Sequence, residues 1–208
     1  MNGSLKELWE TDISFYALAG VRDRLNDNIR VYNRLGYPME EGYINSGVLL
    51  VNLQQWRDQG FFANATILAR SLGSAFLKNH AQDIINALFH GEILMLPFRN
   101  NLLEYYLYEE EWLYLDRNYY PEIIEACKAP VIVHFCMPQK PWHDECINPF
   151  KSLYYKYWQL TPWPEVVLTH KVQKLSSEES KLGLYPIERK PMLRKNIDVI
   201  EENDNVLF

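Results

Sequence analysis

Two segments far apart in the chain end apolar runs with groups able to do chemistry: Tyr43-Ile-Asn-Ser-Gly-Val-Leu-Leu-Val-Asn52 and Val131-Ile-Val-His-Phe-Cys-Met-Pro-Gln-Lys-Pro-Trp142. In an α/β protein, ligands gather outside the carboxyl ends of strands, so His134 and Lys140 after Val131-Ile-Val133 are placed for a ligand rather than for the core. Neutral imidazole is a ligand for borderline divalent ions such as manganese. A lone His, however, is more often a hydrogen-bonded structural residue. A zinc site would join His134 to Cys136, His143 and Cys146, but Cys-x6-His-x2-Cys matches no familiar zinc spacing. Pro141 restrains the backbone beside Lys140. The ammonium could neutralise a diphosphate, or could be a surface charge beside a buried Trp142.

Asn45-Ser46-Gly47 offers an amide with donors and acceptors, and a glycine that lets backbone approach a ligand closely. A plain turn before a strand would use the same residues. Gln82-Asp83 opens a short helix, where Asp also complements the helix dipole without any further role. Asp23, in Gly20-Val-Arg-Asp23, reads equally well as a surface carboxylate. No Ser-His-Asp, Walker or dinucleotide-binding glycine pattern is present.

The elements that position these groups follow from apolar spacing. Gly47 to Val51 reads as a buried strand, and Leu53-Gln-Gln-Trp56 opens a helix that Gly60 interrupts. Phe61, Ala65, Leu68 and Leu72 recur at spacings of four, three and four, predicting a helix with one buried stripe and Gly73 as its stop. Ile84, Ile85, Leu88 and Phe89 predict a short helix closed by Gly91, and Ile93 to Leu96 a strand ended by Pro97. Pro121 to Ala126 predicts a helix with Pro in its first turn, Val131 to Phe135 a strand, and Phe150 to Trp158 an aromatic-rich helix. Alternating helices and strands give an α/β layer architecture, with a parallel or mixed sheet flanked by helices. Leu102 to Tyr120 carries six tyrosines, Trp112 and Glu109-Glu110-Glu111. It reads as a solvated helix or loop packing aromatics onto the domain edge in preference to a sugar-stacking platform. Two regions result: 1–160, and a charged, Pro-bearing extension over 161–208 expected to pack loosely.

With 208 residues and 48% hydrophobic content, the chain has a globular composition. The net charge of -6 argues against a nucleic-acid surface, which needs clustered Lys and Arg. Three cysteines, odd in number and without a CxxC, give little support to a disulfide framework, so reduced thiols in a cytoplasm are expected. No apolar stretch approaches the roughly 18 residues of a membrane span, and the first residues lack a signal-peptide apolar region.

In order, these segments resemble glycosyltransferase family 8, the retaining transferases that include bacterial lipopolysaccharide galactosyl- and glucosyltransferases and glycogenin. The matching stretches are Asn2-Gly-Ser-Leu-Lys-Glu-Leu-Trp9, Ala19-Gly-Val-Arg-Asp23, Tyr43 to Arg57, Gln82-Asp-Ile-Ile-Asn86, Leu96-Pro97 with Asn101, and His134-Phe-Cys with Lys140-Pro-Trp142. The resemblance implies a GT-A fold, here partial, and a nucleotide-sugar donor, usually UDP-linked, with Mn2+ (or Mg2+) bridging the diphosphate. It implies His134 as metal ligand and Lys140 as phosphate contact. Asn45, Ser46 and Gln82 would touch the donor sugar, Gln82 lying on the catalytic face, and Asp23 and Cys136 would be acceptor-side. The expected acceptor is a glycan or lipid-linked sugar, in the cytoplasm or peripherally at a membrane.

Three departures stand out. The family's Asp-x-Asp metal ligands would lie just upstream of Asn2, so the chain is expected to be the C-terminal portion of a transferase, with little turnover alone and an uncovered sheet edge prone to association. Ala81 stands where the family usually has Asp. Met137 stands where it has Gly. A non-catalytic glycan-binding or assembly module is the alternative that these departures favour.

Overall fold

The computed structural model describes residues 2–73, 76–108, 112 and 115–163. The expected extension therefore lies almost wholly outside the described residues, as does Glu109-Glu110-Glu111. The chain divides into two compact units, residues 1–102 with 114–134, and residues 103–113 with 135–208.

The first unit is built on a strand the apolar spacing did not single out, β1 (Leu18–Arg22). Ala17, Leu18, Ala19, Gly20 and Val21 are all fully buried, so neither face alternates with polar residues and the usual strand pattern is missing. β1 is central in a three-stranded sheet, antiparallel to β2 (Ile44–Val51) and parallel to β3 (Ile93–Met95). The sheet is mixed, as expected. Because β2 lies at its edge, Val48 to Val51 are half-buried rather than buried, which corrects the reading of that run as a core strand.

The β1–β2 register is uniform from Leu18↔Val51 to Gly20↔Leu49 and would then put Arg22 opposite Gly47; instead Arg22 faces Ile44. The extra β2 residues bulge out of the ladder at Asn45, Ser46 and Gly47, and the backbone N–H groups of Ser46 and Gly47 turn to side chains.

Helices cover the sheet. A short α1 (Lys6–Trp9) precedes β1. α2 (Ile29–Leu35) starts where Asn28 Oδ1 accepts from the Arg30 N–H and ends at Gly36, whose φ of 82° suits the left-handed cap. α3 (Leu53–Asp58) is capped by Asn52, and α4 (Phe61–Leu72) begins and ends where the glycines predict. Its stripe is only half-buried: no residue of α4 is buried, and Phe62 and Ile67 are exposed. α5 (Ala81–Phe89) supplies Ile85 and Phe89 to a cluster with Ala17, Leu18, Ile44 and Ile93, against which Trp56 and Phe61 stack. After β4 (Leu102–Leu103), α6 (Tyr120–Lys128) carries Pro121 in its first turn. The strand predicted over Val131 to Phe135 shrinks to β5 (Val133–His134), since Val131 and Ile132 donate instead to the Arg99 carbonyl.

Buried polar groups fasten α5 to the sheet. Asn86, fully buried, accepts from the Ile44 N–H at 2.8 Å and donates to the Ile44 carbonyl at 2.9 Å, standing in for a neighbouring strand. Asp83 is fully buried and takes a bidentate ion pair from Arg34 at 2.7 and 3.1 Å, a bond from the Tyr43 hydroxyl at 2.7 Å and one from the Asn79 N–H at 2.8 Å.

The described residues of the second unit include an aromatic core and the helix α7 (Lys151–Trp158). Tyr106, Leu107, Tyr108 and Trp112 are buried, with a 3-10 turn over Glu104–Leu107, so these residues of the tyrosine-rich stretch pack inward, which corrects their reading as solvated. Among the described residues no helix is long and apolar enough to cross a membrane.

Burial opposes ionisation of Asp83, yet its hydrogen bonds, Arg34 first, outweigh burial and hold the carboxyl below 3.8. A depressed carboxyl contributes stability above its unfolded pKa that is lost as pH falls through the folded one. Asp83→Asn is therefore expected to cost about 3–5 kcal/mol at pH 7 by stranding Arg34. In urea unfolding, the gap from wild type should narrow below pH 3.8.

Candidate functional site

Five of the residues singled out from sequence meet in the first unit, and a sixth, Asn101, joins them. At the end of β1, Asp23 is buried and accepts from Asn45 Nδ2 at 3.0 Å, which replaces the surface-carboxylate reading. Gln82, in the first turn of α5, accepts through Oε1 from Asn45 Nδ2 at 3.2 Å and from the Ser46 N–H at 3.1 Å. Asn45 Oδ1 accepts from the Gly47 N–H at 2.9 Å and from Asn101 Nδ2 at 3.0 Å. Asn101 Oδ1 lies 3.0 Å from His134 Nδ1. Both hydrogens and both lone pairs of the Asn45 amide are thereby engaged, so Asn45 is a hub within the protein. Asn45 and Ser46 lie within β2 at its bulge rather than in a turn before it.

Gly47 has a more specific role than flexibility. A Cβ there would sit 2.2 Å from His134 Cε1 and 2.8 Å from Nδ1. The space is taken by the imidazole, not by a ligand. Entry to α5 is also unusual: His80, its N-cap, has φ 49°, the one non-glycine residue with positive φ among those described. Such a backbone costs of order 1–3 kcal/mol and persists where surrounding contacts over-determine it. Here Asn79, next to it, is tied by N–H and side chain to Asp83. The turn sets Gln82 against β2, with Ala81 exposed at the first helical position.

Lys140, Cys136 and Met137 belong to the second unit. Lys140 is half-buried and its ammonium donates to the Phe135 carbonyl at 2.6 Å, holding the Phe135 to Lys140 loop in a hook. His143 Nδ1 accepts from the Lys140 N–H at 3.0 Å, a structural role that leaves the zinc reading without support. Met137 is buried. Glu104, which nothing in the sequence marked, is buried beneath the same loop. Burial raises its carboxyl above the ordinary 4.5, offset in part by the nearby Asn148 amide, the Met137 N–H, the Lys140 ammonium and the Tyr108 hydroxyl. Burial likewise pushes the Cys127 thiol up to about 12 and raises that of Cys146, so neither is an activated nucleophile.

Among the described residues no three of His, Cys, Asp and Glu group to hold a metal ion. The donor set present, one imidazole with amide neighbours, does not amount to a site for a hard divalent cation, which takes several oxygen ligands.

Two substitutions test this geometry. Gly47→Ala should push the His134 ring away and break its bond to Asn101, costing about 1–3 kcal/mol by overpacking; a structure of the variant with the ring unmoved would contradict this. For Glu104 the folded pKa is raised, so its ionisation is suppressed in the fold and stability declines as pH rises from 4.5 through the folded value. Removing that carboxyl by Glu104→Gln should flatten this decline in unfolding curves taken between pH 4 and 8, where Lys140, Tyr108 and Cys146 remain as neighbours.

Comparison with known proteins bears on family and fold. The profile of Glycosyl transferase family 8 matches residues 1–146. General stress protein A of Bacillus subtilis is 29% identical over 164 residues, covering 76% of this chain and 55% of that protein. The lipopolysaccharide 1,2-glucosyltransferase of Escherichia coli K12 is 27% identical over 164 residues, 78% of this chain and 47% of the relative. The chain thus spans about half the length of these relatives. Among solved structures, the apo bifunctional glycosyltransferase WbbM superposes with TM-score 0.67 at 20% identity, covering 78% of this chain and 31% of that one. Galactosyltransferase LgtC, solved with donor and acceptor sugar analogues, gives 0.58 at 22%, covering 86% and 60%. These likenesses show the fold, that of the GT-A glycosyltransferases. With the family profile spanning most of its length, the chain belongs to glycosyltransferase family 8.

Proposed function

We propose that this chain carries the donor-sugar side of a retaining hexosyltransferase that moves a sugar from a nucleotide donor, a UDP-sugar, to a glycan or lipopolysaccharide-type acceptor in the cytoplasm. The observation that supports it most is the connected polar cluster Asp23–Asn45–Gln82–Asn101–His134, gathered at the end of β1 and the bulge of β2. Ligands of α/β proteins collect at such strand ends. With Oε1 engaged by Ser46 and Asn45, Gln82 turns its amide N–H side, which also meets the Tyr43 hydroxyl, toward a sugar, and an oriented donor of this kind suits the negative charge that develops on the departing diphosphate oxygen as the anomeric carbon becomes positive. Ser46 contributes its hydroxyl, whereas Asn45 acts by holding Gln82 and Asn101.

In this reading Asp23 and Cys136 serve the acceptor side, Lys140 contacts phosphate and His134 supplies one ligand to Mn2+ or Mg2+. The described residues do not make a complete metal site, and no step is assigned to an ion. That same incompleteness favours a second reading, a non-catalytic glycan-binding or assembly module. Assays of UDP-sugar hydrolysis and transfer separate them. Gln82→Ala should lower kcat about 100-fold with little change in donor KM, the pattern of an interaction made in the transition state. Thermal stabilisation by UDP that requires Mn2+ supports the transferase; glycan binding indifferent to both, with no turnover, supports the module.

A further inference from the structure

We infer that Asn101 is a positioning residue that sets the tautomer of His134, placing the imidazole proton on Nδ1 and the lone pair on Nε2, and ties that ring to the donor-sugar amides. The direction of each hydrogen bond in the cluster is forced. A carboxylate only accepts, so the Asn45 amide must turn Nδ2 toward Asp23. Backbone N–H groups only donate, so Asn45 Oδ1 must face Gly47 and Gln82 Oε1 must face Ser46. Three independent groups thus orient the same amides. Asn45 Oδ1 can receive only a donor from Asn101, and Asn101 meets it with Nδ2 at 3.0 Å. What remains toward His134 is the Asn101 carbonyl oxygen, 3.0 Å from Nδ1. That oxygen needs a proton from the ring, and the hydrogen bond at one ring nitrogen decides the character of the other.

Two features keep the arrangement from relaxing. Asn101 is fully buried, and its backbone is stitched to the segment bearing His134: the Arg99 carbonyl accepts from Val131 at 2.8 Å and Ile132 at 3.2 Å, while the Leu102 N–H donates to the Ile132 carbonyl at 2.9 Å. The bare face of Gly47 holds the imidazole on its other side. A flipped ring would set carbon against the Asn101 oxygen. Combined with the proposed function, on which this consequence rests, a proton on Nδ1 makes Nε2 an acceptor and not a hydrogen-bond donor toward a phosphate oxygen.

The test is long-range 1H–15N correlation of the imidazole in 15N-labelled, metal-free protein at a pH where His134 is neutral. Wild type should show protonated Nδ1. Asn101→Asp should keep it, because a carboxylate also accepts, while losing the donation to Asn45. Asn101→Leu should lose it, and in the transfer assay should lower kcat/KM about 10–100-fold, the usual consequence of removing a partner that orients a ligating His. Protonated Nε2 in wild type, or an unchanged tautomer in Asn101→Leu, overturns the inference. If Asn101→Leu does not fold, wild type and Asn101→Asp still decide it. Correct tautomers in a protein without transfer activity support the positioning role and overturn the proposed function instead.

Discussion

The site depends on a break in the ladder between β1 and β2. Regular pairing would give one of the adjacent N–H groups of Ser46 and Gly47 to β1, point the other away from the sheet edge, and send alternate side chains to opposite faces. The register jump between Gly20 and Arg22 takes both residues out of the ladder, and their two N–H groups orient the amides of Gln82 and Asn45. From there the directions of the remaining bonds follow, because every end of the network other than His134 is a group that can only donate or only accept. An arrangement of neutral amides, otherwise free to flip, becomes a single-state structure at little electrostatic cost.

That local order needs a firm floor. Asn86 and Asp83 on α5 supply it, one clamping Ile44 and the other gathering Arg34, Tyr43 and Asn79 around a buried charge. Both sit within a helical turn of Gln82, so the contacts that stabilise the unit also register the functional residue against the sheet. The strained turn at His80 fits the same logic: the backbone is held by what packs around it, and the helix it opens presents Gln82.

Much of this was legible in the chain. Helix ends at Gly60, Gly73 and Gly91 were readable because glycine punctuates apolar periodicity, and His134 was found by its position after an apolar run, whereas the site roles of Asp23, Asn45, Ser46 and Gln82 came from the family resemblance. β1 escaped because a strand buried on both faces, and made largely of small residues, shows neither alternation nor bulk. The segment before His134 looked longer as a strand than it is, since Val131 and Ile132 turn to the Arg99 carbonyl. Glu104 and the engagement of Asn45 could not be read from spacing: both are set by partners brought in from elsewhere in the chain, and neither residue type announces its burial. In the second unit, Tyr106 and Tyr108 proved to be interior, whereas Tyr157 stays exposed.

The closeness of Gly47 to the imidazole carries an evolutionary corollary. A lineage that replaced the glycine would first have to give up the ring, and one that gave up the ring would lose the reason for the glycine. Two letters far apart in the gene therefore meet in one contact, and a change at either alters what the other has to fit.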